Sequence, residues 1–128
     1  MKELHGRTIV AGFGQGTALV SSEPLSFLGG VDPESGIVVE NGHPLEGRSI
    51  SGRVLVFPMG KGSTVGSYTL YRLAKSNLAP AAIVNAQSEA IVAVGAIISH
   101  IPMVDLVDID QIQSGDWVTV AGGRVTVG

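Results

Sequence analysis

One stretch constrains the fold of this chain more than any other. Arg53-Val54-Leu55-Val56-Phe57 leads through Pro58-Met59-Gly60-Lys61-Gly62-Ser63-Thr64-Val65-Gly66 into a segment with helical periodicity. The first piece is short, apolar and rich in β-branched side chains, so it reads as a buried strand. In the last, Ser67, Leu70, Tyr71, Ala74 and Leu78 recur at helical spacing, with Arg72, Lys75 and Ser76 mostly on the other side. The spacing predicts a helix over about residues 64–77 and sets Ser63 at its N-cap. At such a position a side-chain oxygen meets unpaired N–H groups and the positive end of the helix dipole. That combination holds anions, and it can stabilise an ionised serine or a negatively charged substrate.

Serine is also a common helix cap with no further task. Glycine at 60, 62 and 66 goes beyond that need, because it lets a second backbone or a ligand approach closely. A phosphate-binding P-loop is excluded. That motif places Ser or Thr directly after Gly-Lys, whereas Gly62 follows Lys61, and no glycine stands five residues ahead of Gly60.

The rest of the chain alternates strand and turn signals. Thr8-Ile9-Val10 and Thr17-Ala18-Leu19-Val20 read as strands around Gly12-Phe13-Gly14-Gln15-Gly16. No helical pattern follows those glycines, so they read as a hairpin or barrel-corner turn rather than a dinucleotide fingerprint. Leu28 to Gly36 is a loop by every local signal, and a structural turn is favoured over a binding loop. Ile37-Val38-Val39 reads as a strand, followed by polar turn material through Gly47. Pro80 ends the helix, and Ala81 to Asn85 forms another strand. Residues 88–99 are apolar on nearly every face, which predicts a buried helix ending before Pro102. Asp116 to Val120 and Arg124 to Val127 alternate around Gly122-Gly123, a hairpin signal. The expected architecture is one α/β domain over residues 1–128 with flanking β-hairpins.

Composition narrows the function. The formal charge is −3 and the eight Lys and Arg are scattered, which argues against nucleic acid, since phosphate binding needs a basic stripe. Charged residues make up only 15% of the chain, a hint that a partner covers part of the surface. With no cysteine the chain can form no disulfide, offer no thiol nucleophile and hold no iron–sulfur cluster through thiolates of its own. His5, His43 and His100 stand far apart and form no metal-ligand pattern. The longest apolar run, Ala90 to Ile98, falls far short of the roughly 20 residues that cross a bilayer. The Met1–Arg7 start carries no leader pattern, so the expectation is a cytoplasmic protein with no membrane contact.

Several pieces together resemble the small subunits of the aconitase X family. They are Pro24-Leu25-Ser26-Phe27-Leu28-Gly29-Gly30-Val31-Asp32-Pro33, the strand from Gly52 to Phe57, and Gly60-Lys61-Gly62-Ser63-Thr64-Val65-Gly66-Ser67-Tyr68. Ala90 to Asp105, with Val94-Gly95-Ala96-Ile97-Ile98 and Ile101-Pro102-Met103-Val104-Asp105, also looks alike, so the likeness runs over roughly residues 7–120. It implies a swivelling β/β/α fold like the mobile domain of aconitase, made as a separate chain. The implied partner is a large catalytic subunit that carries an iron–sulfur cluster, with no cofactor bound by this chain. The implied reaction is dehydration of (R)-5-phosphomevalonate to trans-anhydromevalonate 5-phosphate in archaeal isoprenoid synthesis. Ser63 would be the proton acceptor. Gly60, Lys61, Gly62 and Thr64 would bind the phosphorylated hydroxy acid.

Asp32 is a candidate for the interface or pocket. Ser67, one helical turn beyond Ser63, either faces the same site or is a small residue for close packing. Two further readings stay open here. One is an aconitase X dehydratase of the cis-3-hydroxyproline type, although its relatives tend to carry Gly-Arg-Gly-Ser-Cys where this chain has Lys61 and Thr64. The other is a non-catalytic module, either a structural subunit or a swivelling carrier; phosphohistidine carriage needs a histidine where Ser63 stands.

Overall fold

The computed structural model describes all 128 residues. In chain order the elements are β1 (Lys2–His5), β2 (Arg7–Val10), β3 (Phe13–Val20), β4 (Leu25–Ser26), β5 (Val54–Phe57) and β6 (Gly60–Lys61). They continue with α1 (Gly66–Lys75), β7 (Ala82–Asn85), α2 (Ala90–Ser99), β8 (Met103–Asp105), a 3-10 turn at Ile109–Gln111, β9 (Trp117–Ala121) and β10 (Arg124–Val127). Eight strands form one sheet in the order β1-β10-β9-β3-β5-β7-β8-β2, and β4 and β6 form a separate two-stranded pair. The run β3-β5-β7-β8 is parallel, with β5 to β7 crossing over through α1, β7 to β8 through α2, and β3 to β5 through the long segment that carries β4; β3-β9-β10-β1 is antiparallel.

The strand β3 belongs to both halves. Phe13–Thr17 pair with β9, and Ala18–Val20 pair with β5. The glycines expected to make a turn at 12–16 instead lie largely within this strand, from Phe13 onward. A side chain at Gly14 would strike the Ala81 carbonyl, and one at Gly16 the Gly52 carbonyl. They are glycines because β3 crosses closely over its neighbours as it passes from one layer to the other.

Two cores flank the parallel strands. On one face Leu19, Leu55, Phe57, Ile83 and Met103 pack under Leu70, Leu73, Val92 and Ala96 of the helices. On the other, Ala18, Val54, Val56, Ala82, Val84 and Val104 meet Val118, Val120, Val125 and Val127 of the antiparallel wing. Alternate residues of β5 serve opposite cores, which is why all four are apolar and buried. The result is a sheet–sheet–helix sandwich, the expected β/β/α arrangement.

Three local expectations need correction. Ile37-Val38-Val39 is not a strand; Val38 and Ile37 make only isolated bridges, to Val31 and Ser49. The buried stripe of α1 is Gly66, Ser67, Thr69, Leu70 and Leu73, while Tyr71 points outward, 39% exposed. α2 is apolar all round yet buries only Val92, Gly95 and Ala96; Val94, Ile97 and Ile98 are 47%, 52% and 38% exposed. Within this chain the helices are the outermost layer, so nothing covers their outer side.

Candidate active-site loop

The loop after β5 is fixed by pairing rather than by a helix cap. β6 runs parallel to β4, with Leu25 opposite Gly60 and Ser26 opposite Lys61. This brings the Pro24–Pro33 segment against the Gly60–Ser67 segment. Gly60 is buried, and a side chain there would collide with Glu89 Oε1 and Val92 Cγ2; one at Gly62 would collide with Ser26 Oγ. Gly62 also has φ +94°, a conformation that favours glycine.

Ser63 is exposed on this loop, but it is not the N-cap. Val65 occupies that position, in a helical conformation and without a capping side chain. Ser63 Oγ accepts a hydrogen bond from the Val65 N–H at 3.2 Å, and its carbonyl accepts one from the Gly66 N–H at 2.9 Å. Ser63 thus closes a turn ahead of the helix. The N–H groups of Ser67 and Tyr68 are likewise met by the carbonyls of Thr64 and Val65. The donors left without a partner in the chain are the backbone N–H groups of Gly62, Ser63 and Thr64, just upstream of the dipole end.

Lys61 lies beside an open cleft of about 380 Å³ lined by Ser26, Leu28, Gly29, Gly30, Glu40, Lys61 and Gly62. Its ammonium pairs with Glu40 Oε2 at 2.8 Å. The other oxygen, Glu40 Oε1, is buried and accepts no hydrogen bond. Ser26 Oγ donates to the Leu28 carbonyl at 2.9 Å and stiffens the opposite wall. Sequence reasoning missed Glu40 and Ser26. Neither lies in a pattern that signals chemistry, and Glu40 reaches Lys61 only through the fold.

The remaining candidates fall elsewhere. Ser67 is buried, donates its hydroxyl to the Thr64 carbonyl at 2.9 Å, and lies where Gly95 lets α2 approach α1. Close packing is therefore its part. It also borders a smaller apolar groove of about 150 Å³ with Thr64, Ala90, Ile91 and Val94. Asp32 accepts from the Glu34 N–H and the Ser35 hydroxyl, which hold its carboxyl below the usual range, helped by the Arg72 charge. It shapes its own turn and does not line the cleft.

Other titratable groups have structural partners. Buried His43 bridges the Pro24 carbonyl (2.9 Å) and the Leu45 N–H (3.0 Å), so Nε2 donates and Nδ1 accepts. His100 ends α2 in a left-handed conformation, and His5 lies beside Glu3 on β1. No histidine stands in the 60–66 loop, where a phosphohistidine carrier would need one. Asp105, fully buried, takes two hydrogen bonds from Arg7 at 3.0 and 2.7 Å and one from the Ser88 N–H at 3.0 Å. The Arg7 guanidinium, with Ser88, holds its carboxyl down at about 2 against the cost of burial.

The chain does not fit an iron–sulfur cluster. It has no cysteine, and no three His, Asp or Glu side chains converge. No helix is long and apolar enough to cross a membrane.

Comparison with known proteins follows the same lines. The family model for the aconitase X swivel domain matches residues 3–128. A phosphomevalonate dehydratase small subunit of Methanosarcina mazei is 58% identical over 95% of this chain and 87% of its own length. One of Thermococcus kodakarensis is 57% identical over 92% of this chain and 89% of its own. A crystal structure of Thermococcus kodakaraensis aconitase X in its holo form superposes with a TM-score of 0.98 at 53% identity, covering 100% of this chain and 99% of that one. The solution structure of a protein designated UPF0107 gives 0.90 at 45% identity, covering 99% of each. With the β/β/α sandwich and a family match over nearly its whole length, the chain belongs to the aconitase X swivel-domain family.

Proposed function

We propose that this chain is the small subunit of a hydro-lyase that dehydrates (R)-5-phosphomevalonate to trans-anhydromevalonate 5-phosphate, with Ser63 as proton acceptor. The observation that carries the reading is the exposed serine loop, pinned by the β4–β6 pair and backed by three free backbone N–H groups. The names carried by relatives above 50% identity support the substrate and the partner.

Removing a proton beside a carboxylate is difficult because negative charge builds on carbon. It requires a positioned base and fixed donors. Ser63 Oγ already accepts the Val65 N–H, an interaction that favours the ionised serine. In this reading the N–H groups of Gly62 and Thr64, which meet no acceptor of the chain, hold an anionic group of the substrate together with Lys61, whose ammonium also pairs with Glu40. No other acid or base of this chain hydrogen-bonds to Ser63, so its activation comes from the large subunit. The iron–sulfur cluster belongs there too, since this chain offers it no ligand set.

Co-expression with the large subunit under anaerobic conditions, followed by a dehydration assay on 5-phosphomevalonate, tests the reading. Turnover is expected from the complex and from neither chain alone. Ser63→Ala is expected to lower kcat by about 100-fold or more with the complex intact. Full turnover by that variant would remove Ser63 from the chemistry. A stable complex inactive on 5-phosphomevalonate would move the substrate to another hydroxy acid.

A further inference from the structure

The serine loop follows a very short piece of regular structure. β4 and β6 share only the pairs Leu25–Gly60 and Ser26–Lys61. A ladder of that length is marginal by itself, so its surroundings decide where it sits. Leu25, Phe27 and Leu45 anchor it in one buried cluster. Apolar burial has no direction and lets a strand slide, whereas a hydrogen bond fixes distance and angle.

Two polar contacts reach the β4–β6 pair from the turn at residues 40–47. Glu40 meets Lys61 in a partly exposed ion pair, a kind of contact that holds little. His43 differs because its ring is buried. Its Nε2–H donates to the Pro24 carbonyl at 2.9 Å, directly ahead of β4, and its Nδ1 accepts the Leu45 N–H at 3.0 Å. A carbonyl only accepts and an amide N–H only donates, so the two contacts fix one tautomer. The turn does not need the ring for its own closure. The His43 N–H donates to the Glu40 carbonyl, the Glu46 N–H to the His43 carbonyl, and the Gly42 N–H to Glu46 Oε1. What the imidazole adds is the reach to Pro24, 19 residues away.

We infer that His43 is a positioning residue of the serine loop. Its ring, oriented by Leu45, holds the Pro24 carbonyl and so sets the register of β4 against β6. Because β6 ends at Lys61, close ahead of Ser63, a shift of the pair is carried to the serine hydroxyl. A displacement of about 1 Å in a reacting group is enough to cost on the order of 100-fold in rate. The step from Ser63 to turnover rests on the dehydratase reading; the hold of His43 on β4 and β6 does not.

Two half-replacements separate the reach to Pro24 from the local turn. His43→Gln keeps an amide N–H near the Nε2 position and loses the acceptor at Nδ1; His43→Asn does the reverse. Amide exchange of the full chain is read by NMR at Leu25, whose N–H donates to the Met59 carbonyl at 3.2 Å, and at core amides that report global unfolding. In His43→Asn, Leu25 is expected to exchange about fivefold faster than global destabilisation explains, and the Gly62, Ser63 and Thr64 signals to move. In His43→Gln, Leu25 is expected within about twofold of wild type, with the loop signals in place. In the complex with the large subunit, kcat on 5-phosphomevalonate is expected to fall about tenfold in His43→Asn and less than about threefold in His43→Gln.

Equal exchange at Leu25 in the two variants, or loop signals unmoved in both, would overturn this role. Wild-type kcat in His43→Asn would overturn the link to Ser63. If the wild-type complex proves inactive on 5-phosphomevalonate while Leu25 and the loop signals separate the variants, the substrate assignment fails and the positioning role stands. Should neither variant give a native spectrum, wild type decides: Leu25 and Leu45 are expected to exchange with one denaturant dependence, and separate openings would overturn the coupling.

Discussion

Among single residues, Asp105 carries the clearest consequence for stability. Its carboxyl is fully buried, yet it ionises at about 2 because Arg7 and the Ser88 N–H meet it. In the unfolded chain the same group titrates at roughly 3.9. The depressed value therefore favours the folded state at pH above about 4, and this contribution is lost as pH falls toward 2. In Arg7→Gln the folded-state value rises, so acid unfolding followed by circular dichroism is expected to begin at higher pH than in wild type. An unchanged acid limb would mean that the pair contributes nothing. Nothing local announced this pair, because Arg7 and Asp105 sit on strands far apart in sequence. Ser63 is the opposite case: its glycine neighbours and its place between a strand and a helix stand in the sequence, and the structure changed its expected role from helix N-cap to a turn ahead of the helix. Valine at 65 starts the helix, so the serine hydroxyl bonds a preceding turn.

At the level of elements, the contact between α1 and α2 depends on Gly95. A side chain there would come within 3.2 Å of the Ser67 Cα and 2.9 Å of Leu70 Cδ2. Leucine is the better helix former by about 1 kcal/mol, but the Ser67 backbone cannot yield as a side-chain tip can. Gly95→Leu is thus expected to destabilise the chain by about 1–3 kcal/mol. A thermal melt should show the midpoint lower by several degrees; a higher midpoint would show that the helices separate without cost. Local pattern revealed β5, α1, β7, α2 and the β9–β10 hairpin, since each has its own periodicity. It misread Gly12–Gly16 because glycine marks both turns and close crossings, and the strand carries no label of which. It missed β1, whose Lys2-Glu3-Leu4-His5 is mostly polar and becomes a strand only by pairing with β10.

For the whole molecule, the outer side of the helix layer is apolar beyond what a free surface needs. Val65, Tyr68, Val94, Ile97 and Ile98 are exposed there, and α2 bears no charge at all. Thr64 and α2 share the small groove beside the serine loop, so this apolar surface runs up to the loop itself. If the large subunit covers it, Ile97→Glu will leave the isolated chain folded, because the side chain points outward, and will weaken assembly at least about tenfold. Sedimentation or titration calorimetry with the large subunit reads this directly. Unaltered affinity would place the interface elsewhere.

The alternation of strand and helix, the loop between β5 and α1, the terminal hairpin and the absence of any thiol ligand were determined by the sequence itself. Each rests on local chemistry: side-chain periodicity, glycine content, or the mere lack of a residue type. The tertiary structure alone decided that β3 serves two layers, that β4 and β6 lay two glycine-rich segments side by side, that Glu40 meets Lys61, and that an apolar helix keeps a bare face. Those outcomes depend on pairing and packing between distant segments. A periodicity tells which side of an element wants to be buried, but only the finished arrangement of layers settles what, if anything, covers it.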